Sequence, residues 1–143
     1  MIYLTRREQF NAAHRLFKPE YSDAQNLEVF GKCSNPNWHG HNYVLYVTVA
    51  GEVVPETGMV IDLKALSALI NEHVIRKVDH KNINLEVDFM SGKMASTENL
   101  AIAIWEQLEA PIHQLGASLY QVKLYETENN FVEYRGGNRM TSH

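Results

Sequence analysis

Apolar and polar residues alternate loosely from Ile2 to Ala12, "IYLTRREQFNA", the two-residue period of a strand with one covered face. The pattern then lapses. "FKPEYSDAQNLEVFGKCSNPNW" carries Pro, Gly, Asn and Asp throughout. It is too long for a passive hairpin loop, and long loops inside compact domains are often functional. "HNYVLYVTVAGEV" is β-branched and aromatic and predicts a second strand that ends near Gly51. "PETGM" is a turn by composition. From Asp62 the period lengthens. Leu63, Leu66, Leu69, Ile70, His73, Val74 and Val78 recur at three- and four-residue steps, a helix with Asp62 placed to cap it. "DHKNINLEVDFMSGKMA" is irregular. "STENLAIAIWEQL" predicts a second helix, with Ser96 or Thr97 as cap and Glu98 in the first turn, where the helix dipole favours a carboxylate. "ASLYQVKLYET" and "NFVEYRG" read as two more strands, turning at Glu128, Asn129 and Asn130.

The order β-β-α-α-β-β predicts an α+β fold, an antiparallel sheet with both helices on one face. One domain is expected over residues 1–136, followed by a flexible tail at 137–143. With 143 residues, 45% apolar and 21% charged, the chain has enough material for a substantial core. Its net charge of −4 gives no support to a nucleic-acid surface. The single cysteine cannot form an internal disulfide, so no oxidising compartment is implied. The first residues carry charge where a signal peptide would need an apolar core. No apolar run approaches the ~20 residues of a membrane span. The expectation is a cytoplasmic enzyme or binding domain, with neither nucleic acid nor membrane as a partner.

Chemistry concentrates in the histidines. Alternate strand residues share a face, so His39 and His41 point the same way if the second strand begins there. His14, in phase with Phe10 and Ala12 at the close of the first strand, could join them across an antiparallel pair. Three imidazoles with an open fourth position describe a catalytic zinc, whereas structural sites are closed by four ligands. Cys33 lies six positions before His39, a spacing unlike the short ones of structural sites. A lone cysteine is often just a small buried apolar residue. Its polar setting beside Lys32 favours a reactive thiol. Asp79 and His80 offer a carboxylate to orient an imidazole and an imidazole to take a proton. Glu126, ending an apolar strand, is a carboxylate that needs donors if it is buried.

Taken in order, "FNAAHRL", "FGKCSNPNWHGHNY", "TGMVIDL", "DHKNIN", "STENLA" and "YETENN" resemble the 6-pyruvoyl tetrahydropterin synthase family over nearly the whole chain. The resemblance implies the tunnelling fold, with subunits joined into trimeric barrels that stack as homohexamers. It implies a lyase that eliminates triphosphate from 7,8-dihydroneopterin triphosphate to give 6-pyruvoyl tetrahydropterin, with one Zn2+ per subunit. Carried over residue by residue, it makes His14, His39 and His41 the zinc ligands and Cys33 the proton-abstracting thiol. Asp79 and His80 become its partners, and Glu126 the anchor of the pterin ring. Thr97 lies in the adjoining pocket segment, and so does Glu98. Bacterial 6-carboxytetrahydropterin synthases, on the route to deazaguanine nucleosides, share this zinc site and substrate. They usually place a cysteine closer to the His-Gly-His and often carry a second. Five residues separate Cys33 from His39 here, and "ETENN" follows the pyruvoyl branch. Trp38 is bulkier than expected before the histidine pair. A non-catalytic, zinc-containing pterin-binding module is the remaining alternative, and it leaves Cys33, Asp79 and His80 without a role. Arg15, Lys18, Lys32 and Lys81 are candidates for the triphosphate by charge alone.

Overall fold

The computed structural model describes residues 1–137; the tail expected at 137–143 lies, from 138 onward, outside the described residues. Strand β1 (Ile2–His14) pairs antiparallel with β2 (His39–Gly51) along its whole length, from Ile2 opposite Gly51 to His14 opposite His39. β1 therefore runs two residues beyond the Ala12 at which the alternation placed its end. Lys81–Asn82 forms a two-residue strand, β3, parallel to β1. β4 (Ser118–Tyr125) pairs with β2, and β5 (Phe131–Tyr134) with β4, both antiparallel. The sheet order is β3-β1-β2-β4-β5. The parallel edge departs from the all-antiparallel expectation, because two residues are too few to show a period.

Helical segments fill the stretches between the strands. Helix α1 (Asp23–Phe30) and a 3-10 turn (Gly31–Ser34) occupy the region that composition marks as loop. The start of α1 is a capping box: Ser22 Oγ accepts from the Gln25 N–H, and Gln25 Oε1 accepts from the Ser22 N–H. The helix lacks an apolar stripe, since Leu27 and Val29 are exposed and its one buried residue is Asn26. Hydrophobic periodicity had nothing to detect there. The helix expected from Asp62 is α2 (Leu63–Ile70), with Asp62 Oδ1 accepting from the Lys64 N–H at 2.9 Å. It continues through a π-turn (Asn71–Ile75) into the short α3 (Arg76–Val78). Asn82 caps a further short helix, α4 (Ile83–Glu86), which is followed by a 3-10 turn (Asp88–Met90). The long helix α5 (Thr97–Gln114) is capped by Ser96, whose Oγ accepts from the Asn99 N–H. Ser96 as cap releases the Thr97 side chain for other partners.

One face of the sheet carries the core. Phe10 and Ala12 of β1, Tyr43, Leu45, Val47 and Val49 of β2, and Leu119, Val122 and Leu124 of β4 are all buried. Against them pack Leu66 and Ile70 of α2, Val74 and Val78 beyond it, and Leu100, Ile104, Leu108 and Ile112 of α5. Both main helices lie on that face, as the order of elements predicts. Along β1 the intervening Arg7, Gln9 and Asn11 are exposed on the opposite face. Residues two apart share a face, so His14 follows Phe10 and Ala12 toward the helices, and His39 and His41 precede Tyr43 and Leu45. The three histidines thus close one end of the core.

Candidate metal centre and active site

The His14–His39 register brings three imidazoles together from two neighbouring strands. Ring centroids are 4.4 Å apart for His14–His39, 4.9 Å for His39–His41 and 5.1 Å for His14–His41, a nearly equilateral triangle. One nitrogen from each ring lies within 4.8 Å of the others. His14 is buried, and its Nδ1–H donates to the Ala95 carbonyl at 2.7 Å, just before the cap of α5. That bond leaves Nε2 as the lone-pair nitrogen, the usual arrangement of a metal-binding histidine. His14 Nε2, His39 Nδ1 and His41 Nε2 are buried without a hydrogen-bond partner. Three buried acceptors facing one another are costly unless a shared cation satisfies them. Burial lowers the pKa of His14, and burial together with His41 lowers that of His39. Both shifts favour the neutral ring, the form that ligates a metal. These residues could hold a metal ion, and three neutral nitrogen donors suit zinc.

Glu126 follows the last residue of β4, and its N–H donates to Asn130 O at 3.0 Å, closing the turn into β5. Its Oε2 accepts a short hydrogen bond from Thr97 Oγ1, and its Oε1 lies 3.6 Å from His41 Nε2. The structure therefore joins Thr97, Glu126 and the histidine cluster, although they are far apart in the chain. Glu98, one residue further around α5, is exposed and stands apart from this group.

Cys33 is a half-buried free thiol in the 3-10 turn, and its carbonyl accepts from the Leu16 N–H at 2.8 Å. Asp79 and His80 sit at the edge of β1. Asp79 Oδ1 accepts from the Asn11 N–H at 2.9 Å and lies 3.1 Å from His80 Nδ1. The carboxylate thus lies against the imidazole. The His80 ring is largely exposed, and among the described residues no hydrogen bond links it to Cys33 within one chain.

Of the basic candidates for the triphosphate, Arg15 is already engaged, with Nε donating to Ser34 O at 2.8 Å. Sequence reasoning also missed two asparagines, Asn84 and Asn26, whose amides bond the backbone of Arg15 and Lys18. Asn84 ends the "DHKNIN" stretch, but neither its place there nor any periodicity shows this role, because the partners are main-chain groups brought near only by the fold. The sequence marks Tyr43 as a strand residue. It is buried beside His14 and His41, with centroid distances of 6.2 and 5.8 Å, and stacks on Phe10 at 4.8 Å.

Residues 3–137 match the family model described as 6-pyruvoyl tetrahydropterin synthase. The chain belongs to the 6-pyruvoyl tetrahydropterin synthase family. It is 47% identical over 133 residues to the 6-pyruvoyl tetrahydrobiopterin synthase of Pongo abelii, covering 93% of this chain and 90% of the relative. The 6-pyruvoyl tetrahydropterin synthase structure from Caenorhabditis elegans superposes with a TM-score of 0.85 at 41% identity, over 95% of this chain and 96% of that one. A 6-carboxy-5,6,7,8-tetrahydropterin synthase of Rickettsia typhi is 30% identical over 149 aligned positions, covering 93% of this chain and 99% of the relative. The two branches of the family thus stand at clearly different distances from this member. Among the described residues, no helix is long and apolar enough to cross a membrane.

Proposed function

We propose that this protein converts 7,8-dihydroneopterin triphosphate to 6-pyruvoyl tetrahydropterin with loss of triphosphate. The observation that carries the reading is the three-imidazole cluster set directly beside the Thr97–Glu126 pair. One zinc per chain, held by His14, His39 and His41, would polarise the side-chain hydroxyl oxygens of the substrate and acidify the carbons that bear them. Glu126 accepts two parallel hydrogen bonds from the ring amide N–H and exocyclic amine, and the Thr97 hydroxyl holds its second oxygen in place. The Cys33 thiolate removes the proton from the side-chain carbon next to the ring. The electron pair left behind moves into the ring C=N bond, so the ring is reduced by two electrons while the side-chain carbinol becomes a carbonyl. Loss of a second carbon-bound proton expels triphosphate with its bonding electrons, and the resulting enol becomes the second carbonyl. No external oxidant or reductant is required.

His80, oriented by Asp79, takes the thiol proton. Because His80 points outward from its own chain, we place this exchange across a contact between two copies, in a homohexamer with shared sites. Greater identity to the pyruvoyl synthases than to the carboxy synthase supports the pyruvoyl product. Mass spectrometry of the product formed from 7,8-dihydroneopterin triphosphate tests the proposal. A pyruvoyl product with released triphosphate is expected. A 6-carboxy product would assign the protein to the other branch, and no turnover by the zinc-loaded protein would leave a pterin-binding module.

A further inference from the structure

Arg15 directly follows the metal-cluster residue His14, and its side chain turns back onto the loop that carries Cys33. Its Nε–H donates to the Ser34 carbonyl at 2.8 Å, while the next residue's N–H, that of Leu16, donates to the Cys33 carbonyl at 2.8 Å. Two consecutive carbonyls of the Cys33 turn are thus anchored within two residues of His14. The guanidinium is largely buried and lies 4.1 Å from the centroid of the Phe17 ring. Phe17 in turn meets Trp38 edge-on, at 6.5 Å between centroids. Trp38 ends the same loop, and its N–H donates to Asn35 O at 3.0 Å.

The anchor itself is immobilised. The Arg15 N–H donates to Asn84 Oδ1 at 2.9 Å, and Asn84 Nδ2 donates to Arg15 O at 3.0 Å, so one amide side chain continues the pairing where β3 stops. Asn26 makes the same pair of bonds with Lys18, at 2.8 and 3.1 Å. By contrast, the ion pair from Arg15 to Asp23 is loose at 3.6 Å, and Asp23 is exposed. Ion pairs of that kind contribute little. The part-buried bond to Ser34 is the structurally significant one.

We infer that Arg15 is a positioning residue for the reaction, fixing the Cys33 thiol at a set distance from the histidine cluster. This rests on Cys33 being the base. Small errors in the placement of a reacting group are expensive: a shift of about 1 Å can cost on the order of 100-fold in rate. Lysine cannot replace the guanidinium here, because it lacks the planar donor that bonds a carbonyl while stacking on a ring.

The test compares Arg15→Lys, Arg15→Met, Asp23→Asn and Cys33→Ala in the full-length, zinc-loaded protein. Measured for each are zinc content, kcat and KM with 7,8-dihydroneopterin triphosphate, and the rate of Cys33 alkylation by iodoacetamide. Both Arg15 variants should keep their zinc, lose roughly 10- to 100-fold in kcat with little change in KM, and alkylate several times faster. Asp23→Asn should match the parent protein. Should Arg15→Met fail to fold, Arg15→Lys carries the comparison. Unchanged kcat and alkylation in Arg15→Lys, with Cys33→Ala inactive, would overturn the inference, as would a raised KM at constant kcat. Full turnover by Cys33→Ala would instead defeat the base assignment, and alkylation alone would then decide whether Arg15 holds the turn.

Discussion

Among the described residues, two other than glycine hold left-handed backbone, Trp38 at φ 66° and His80 at φ 60°, and both belong to the segments around the candidate site. Such conformations cost about 1–3 kcal/mol and persist where surrounding contacts over-determine them. For Trp38 those contacts are the ring packing on Phe17 and the bond from its N–H to Asn35 O. Trp38→Gly should remove the strain and the ring contact together, leaving stability within roughly 1 kcal/mol by thermal melting. A much larger loss would show that the ring, and not the backbone, governs this corner. Cys33 stands on different ground, because nothing in its contacts makes it a ligand. Cys33→Ala is expected to keep zinc near one per chain while turnover falls roughly 10²- to 10⁴-fold, the range for losing a positioned base. Loss of zinc by that variant in metal analysis would make the thiol a ligand. The reverse holds for His41→Ala, which should lose metal first and activity with it.

At the scale of elements, legibility followed burial. β1, β2, α2 and α5 show their periods because each buries a face, and they place His14, His39, His41 and Thr97 in their observed setting. α1 buries only Asn26 and was invisible, although the Ser22–Gln25 capping box stood in the sequence. The clamping role of Asn26 and Asn84 was not legible, although Asn84 ends the "DHKNIN" stretch, since a side-chain amide bonding distant backbone leaves no periodic trace. Asn26→Ala should cost about 1–3 kcal/mol in a urea melt, because it removes a buried side chain that satisfies two part-buried backbone groups of Lys18. Ser22→Ala, at the exposed cap of the same helix, should cost about 1 kcal/mol. The edge between α3 and β3 has a pH signature. The Asn11 N–H, and after it His80, hold the Asp79 carboxyl below its ordinary value of 3.8. A carboxyl lowered in the folded state adds stability above its unfolded value and loses it as pH falls through the folded one. Asp79→Asn should therefore be less stable at pH 7, with the gap closing only as pH drops below about 3.8. A gap independent of pH would mean that the carboxylate charge contributes nothing.

Among the described residues, the β1 side chains on the face away from the helices are largely exposed, and the edge strands β3 and β5 each have one strand neighbour. β3 offers only two residues and β5 only four, so the edges are short, and closure between subunits would remove them altogether. His80 bears on the same question. Its backbone is strained, its imidazole is oriented by Asp79, and its ring is presented to the outside, away from any bond to the Cys33 of its own chain. On the proposed mechanism, the exposed imidazole of one copy serves the half-buried thiol of another. Mixing tests this directly. Cys33→Ala and His80→Ala chains, each nearly inactive alone, would be unfolded and refolded together in equal amounts. If every site takes its thiol from one chain and its imidazole from another, about a quarter of sites regain both groups, and activity should return to that fraction of the parent. If both groups act within one chain, no combination restores a complete site and the mixture should stay as inactive as its parts. Light scattering on the same samples separates this outcome from failed assembly, since a hexamer without recovered turnover would leave the oligomer standing and rule out the shared site.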